Sequence, residues 1–113
     1  MHVLFESRTP EAAQLRESSI DRLHFSMRRL TWLVPRARVL LSDVNGPRGG
    51  VDKRCQLEIR TSTAGTLVIT SVARDWRCAL DTSLARATQA LLRIWRRSQR
   101  RDRSRLRHLQ PGN

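Results

Sequence analysis

Apolar and polar positions alternate most cleanly over residues 54–60, where Cys55, Leu57 and Ile59 point one way and Arg54, Gln56, Glu58 and Arg60 the other. A period of two with one apolar side describes a strand that covers a core on one face and meets water on the other. Residues 36–44 follow the same rule, with Ala37, Val39 and Leu41 set against Arg36, Arg38 and Ser42. Residues 66–72 are rich in β-branched side chains. With Thr63-Ala64-Gly65 as a short turn, they pair with 54–60 as an antiparallel hairpin. The pattern leaves open which face Val68 and Val72 take. A short apolar run at residues 1–5 reads as an opening strand, and Asn45-Gly46-Pro47-Arg48-Gly49-Gly50 as a loop.

Two longer stretches have a helical period instead. Thr9 offers a capping hydroxyl, Pro10 fits the first helical position, where its missing N–H costs nothing, and Glu11 suits the positive helix end. From there Ala13, Ile20, Leu23, Met27, Leu30 and Val34 recur at steps of three, four or seven, which predicts one continuous helix closed by Pro35. Asp75 caps a second helix, on which Leu80, Leu84, Ala87, Leu91 and Ile94 form the apolar stripe. After Trp95 the stripe stops and arginine dominates, so the helix is expected to fray into a basic tail. The order is β-α-β-β-β-α. It predicts an α+β fold with one four-stranded sheet and two helices packed on one face. The expected organisation is one domain over residues 1–99 and a basic, flexible tail over 100–113.

Composition narrows the function. The 113 residues carry 22 Lys+Arg against 10 Asp+Glu, a net charge of +12, while 39% of residues remain hydrophobic. That combination suits a thin core under a cationic surface and disfavours a deep substrate cavity. No apolar run approaches the roughly 18–20 residues of a membrane span. The apolar start is stopped by Glu6 and Arg8 before a signal-peptide core forms, so a cytoplasmic location without membrane contact is expected. Cys55 and Cys78 are expected to be two buried, reduced thiols rather than a disulfide or metal pair.

The charge is also patterned. At 100° per residue, Arg86, Arg93, Arg97 and Arg100 stay within roughly 40° of one line on the second helix, away from its apolar stripe. Like charges at helical spacing repel. A ridge interrupted only by Thr88 and Gln89 therefore points to a polyanionic partner. Arginine suits phosphate because its planar fork gives two aligned charge-assisted hydrogen bonds. The aromatic residues Phe5, Phe25, Trp32, Trp76 and Trp95 are few and scattered, so stacking of single-stranded bases is not expected. No tight turn joins the helices as a DNA-reading pair requires. Structured RNA read by backbone and shape is the expected target.

Other chemistry lacks its pattern. His2, His24 and His108 share no ligand spacing with each other or with the cysteines, so no metal is expected. Gly46, Gly49 and Gly50 lack the Gly-Lys-Ser/Thr and the strand-to-helix setting of a phosphate loop. Asp75 and Asp81 sit in the first two turns of a helix, where capping and the dipole explain them. Ser18, Ser19 and Ser26 have no matching base. The expectation is no catalytic residue, no cofactor and no small-molecule substrate.

The segment from Asn45 to Cys55 and Asp75-Trp76-Arg77-Cys78-Ala79-Leu80-Asp81 resemble the ribosome hibernation-promoting factor and ribosome-associated inhibitor family, also called sigma-54 modulation proteins. The resemblance covers about residues 1–97. It departs from the family's Asp-x-Tyr-Ala-Ala-Ile-Asp start of the last helix, with Arg77 at the tyrosine and Cys78 at the first alanine. The resemblance implies the element order read above. It also implies binding to the small ribosomal subunit where messenger and transfer RNA lie, which silences idle ribosomes under stress or in stationary phase. By position it matches Arg86, Arg93 and Arg97 on the last helix, with Gln89 at a commonly basic site. It matches Arg22 on the first helix, and Arg28 and Arg29 more loosely. With Arg96 and Arg100 from the basic run, these are the candidate RNA-binding residues. The length is similar to that of short family members, so a monomer is expected off the ribosome. The alternative is a general double-stranded or structured RNA-binding module, and a third option is an adaptor whose basic helix docks on an acidic protein.

Overall fold

Three rows of side chains cross the sheet and make its covered face. They are Val3, Ala37, Ile59 and Leu67; then Phe5, Val39, Leu57 and Ile69; then Ser7, Leu41, Cys55 and Ser71. In this computed structural model, which describes residues 1–44 and 51–109 and the side chains as far as Arg101, the strands are β1 (His2–Ser7), β2 (Arg36–Asp43), β3 (Lys53–Arg60) and β4 (Thr66–Ala73). They lie in the order β1-β2-β3-β4. β1 runs parallel to β2, and the other pairs are antiparallel. A parallel neighbour needs a crossover, and the segment between β1 and β2 supplies it with helices on the covered face.

The hairpin turn between β3 and β4 forms where the sequence places it. Gly65 takes a φ of 75°, and the Thr61 hydroxyl accepts from the Ala64 N–H at 2.9 Å while donating to the Gly65 carbonyl at 2.7 Å. Strict alternation puts Val68 and Val72 on the open face, both exposed, with Leu67, Ile69 and Ser71 inward. The loop read at residues 45–50 lies outside the described residues, as do residues 110–113 of the expected tail.

The first helix differs from expectation. In place of one helix to Val34 there are α1 (Pro10–Ala13) and α2 (Arg16–Ser26). Thr9 caps α1 as read, accepting from the Ala12 N–H at 3.1 Å. The chain then tightens at Gln14 and Leu15, which rotates the register: Ala12 is buried and Ala13 exposed. After α2 the backbone closes successive three-residue turns, Leu30 N–H to Met27 O at 2.8 Å and Leu33 N–H to Leu30 O at 2.9 Å. Met27, Leu30 and Leu33 are spaced by three, so these tighter turns bury them together as well as an α-helix would.

α3 (Trp76–Leu109) is the second departure. It does not fray at residue 99 but stays helical for 34 residues. No glycine or proline intervenes before Pro111, and arginine and leucine are good helix formers, so helical propensity carries the backbone past the last apolar contact. Asp75 caps it as expected: its Oδ1 accepts the Cys78 N–H at 2.7 Å, which holds this carboxyl below the usual range. Leu80, Leu84, Ala87 and Leu91 pack on the sheet, while Ile94 and Trp95 are half-buried. Cys55 is buried, and burial pushes its thiol up to about 11. Cys78 is exposed, contrary to expectation, because it lies on the solvent side of α3.

Candidate nucleic-acid interface

From Thr82 to Arg101, α3 contains no carboxylate. Its buried stripe ends near Trp95, so the helix extends past the core as an arm. The radius of gyration, 17.5 Å, exceeds the roughly 13 Å of a compact chain near this size. Arg93, Arg96, Arg97 and Arg100 stand on this arm or its root, and none is in an ion pair among the described residues.

Two candidates on the helices are engaged within the protein. Arg22 on α2 forms a bidentate pair with Asp81 of α3, both bonds at 2.8 Å, which joins the two helices. Asp81, read as a dipole-favoured acid, thus has a specific partner that sequence spacing did not reveal. Arg86 leans the other way. Its Nη1 lies 3.4 Å from the Thr70 carbonyl and 3.4 Å from the Ser71 hydroxyl, against the open edge of β4. Of the ridge read from Arg86 to Arg100, only the distal part, Arg93, Arg97 and Arg100, is without an ion pair or side-chain hydrogen bond among the described residues.

Arg28 and Arg29 stand on the turn after α2, both exposed. The Arg28 guanidinium donates to the Phe25 carbonyl at 2.8 Å and lies over the Phe25 ring, 4.2 Å from its centroid. Between this turn and α3 runs an open groove of about 500 Å³, lined by both Trp32 and Trp95. The fold thus assembles two tryptophans that are far apart in sequence. Periodicity within one element gives no signal for such a placement.

A second polar cluster sits at the other end of α3. Lys53, the sole lysine, lies 2.7 Å from Asp43 and 3.3 Å from the buried Asp52, above the Trp76 ring at 5.1 Å. The hydrogen bond to Asp43 raises the Lys53 pKa, and the Trp76 indole N–H donates to the Ser42 carbonyl at 2.9 Å. This cluster fastens the start of α3 to the ends of β2 and β3. Among the described residues, no group of three or more His, Cys, Asp or Glu side chains is placed to hold a metal ion, and no helix is long and apolar enough to cross a membrane.

No protein-family model and no curated protein sequence matches the chain. Solved structures do. A ribosomal subunit interface protein from Coxiella burnetii superposes with a TM-score of 0.66 at 14% identity, covering 83% of this chain and 97% of its own. The N-terminal domain of Thermus thermophilus Protein Y superposes with a TM-score of 0.56 at 18% identity, covering 83% and 99%. Both are of the kind that the sequence resembles, and at these identities they establish a shared fold.

Proposed function

We propose that this chain is a ribosome-associated protein that binds the small subunit through the arginines of α3 and of the turn after α2, fills the channel for messenger and transfer RNA, and so keeps idle ribosomes inactive. The observation that carries it is the carboxylate-free stretch of α3 with Arg93, Arg96, Arg97 and Arg100 outside any ion pair among the described residues. Guanidinium groups left without counter-charges repel one another until a polyanion meets them. The shared fold with a ribosomal subunit interface protein supports ribosomal RNA as that polyanion. The mechanism is competitive: arginines displace counterions from RNA while the sheet and helices occupy space that translation substrates need. It needs neither cofactor nor covalent step, and it places the protein, as a monomer, in the cytoplasm.

Co-sedimentation with isolated small subunits at moderate salt tests this. Binding is expected to survive excess duplex RNA and to yield to messenger plus transfer RNA. Loss to duplex RNA at equal phosphate concentration would instead make the arginine arm a general clamp for structured RNA.

A further inference from the structure

Trp32 is 57% exposed and Phe25 68%, although large aromatic side chains dominate cores elsewhere in proteins. Trp32 is also held. Its indole N–H donates to the Arg29 carbonyl at 3.2 Å, so its one polar atom is satisfied and its ring orientation restrained. What remains for a partner is the apolar ring. Across the groove, Thr88, Leu92 and Trp95 line the α3 wall at helical spacing. Arg28 and Arg29 line the other wall, and no carboxylate lines the groove.

A flat apolar slot beside two guanidinium groups fits a planar heteroaromatic ring attached to a phosphate. A volume of about 500 Å³ lies within the range of ordinary small-ligand sites. We propose that this groove holds an unpaired base of the bound RNA against Trp32, with Arg28 and Arg29 on the flanking phosphates. The inference rests on the RNA-binding reading above and adds that the RNA presents a single-stranded nucleotide at this place. It differs from the expectation drawn from the sequence, in which scattered aromatics argue against stacking. Charge selects the occupant: an apolar protein segment would satisfy Trp32 and Leu92 but leave both arginines without counter-charges.

The test compares affinity for oligouridylate and for a fully paired RNA of equal phosphate count, using the full chain and the variants Trp32→Ala and Trp32→Phe. The alanine variant is expected to lose at least about tenfold on oligouridylate and less than about twofold on the duplex, with the phenylalanine variant retaining most of the affinity. Unchanged melting curves check the fold, since the side chain removed is exposed. Equal loss on both RNAs, or loss on neither, overturns the stacking site. Weaker binding to small subunits with unchanged binding to oligouridylate overturns it too, and assigns the groove to a protein contact. If the unmodified chain binds neither RNA nor subunits, the RNA-binding reading fails with it; if it binds both and Trp32→Ala changes nothing, only the groove assignment fails.

Discussion

On the open face of the sheet, Arg38 reaches Glu6 at 2.6 Å and Glu58 at 3.4 Å, and Arg54 donates to Gln56, which in turn donates to Glu58. On α3, Arg93, Arg96, Arg97 and Arg100 have no such ion-pair partners among the described residues. The same side chain is part of a cross-strand network in one region and an open valence in the other. A net charge of +12 therefore does not describe this surface. The proposed interface lies where positive charge is both unpaired among the described residues and uninterrupted by any carboxylate, as it is on α3 from Thr82 to Arg101.

The largest expected effect breaks the comparison outright. Replacing Arg93, Arg97 and Arg100 together with Glu should weaken binding to small subunits at least about a thousandfold, as three charge-assisted donors give way to groups that repel phosphate. The melting temperature should stay unchanged, and co-sedimentation alongside a thermal melt reads both. The salt dependence of the remaining binding should also flatten, by about 0.7–0.9 in slope for each phosphate that the variant no longer neutralises. On the underside of the same helix, Leu91→Ala should do the reverse. It should cost about 2–5 kcal/mol of unfolding free energy in denaturant titration, because Leu91 is fully buried against the sheet.

Smaller effects sharpen the comparison on the paired side. Arg22→Ala should cost under about 1 kcal/mol, since both partners in its pair with Asp81 are at least a third exposed and solvent screens them. Arg38→Gln should leave subunit binding unaltered. The hydrogen bond from Arg38 holds the Glu6 carboxyl below its usual value of 4.5. A carboxyl lowered in the folded state contributes stability above its unfolded pKa and loses it as pH falls through the folded value. The gap in melting temperature between the unmodified chain and Glu6→Gln should therefore be full near neutrality and close below pH 4.5.

The sheet and the packed half of α3 are legible in the sequence because one periodicity fits each. Cys55, Leu57 and Ile59 admit only a strand, and Leu80 to Leu91 only a helix. Residues 10–34 are not, since apolar steps of three and four suit an α-helix and a chain of tight turns equally. The arm escapes a reading by periodicity because the end of an apolar stripe is not the end of a helix. The stripe reports packing, whereas propensity alone continues the backbone. At the site, the arginine ridge of α3 follows from the helical wheel. The Arg22–Asp81 bond, the turning of Arg86 to β4, and the placing of Trp32 and Trp95 on one groove depend on how elements pack, which no single periodicity encodes.

The contact of Arg86 with β4 also bears on self-association. β4 borders the sheet, carries no charged side chain from Thr66 to Ala73, and turns Val68 and Val72 outward. An uncharged border strand is a template on which a second chain can add, and nearby charge is a common way of blocking that addition. A guanidinium supplied from the helix above, on the Thr70 carbonyl, places one positive charge against such a strand without interrupting its β-branched pattern. Removing it should appear first as a loss of solubility at high protein concentration.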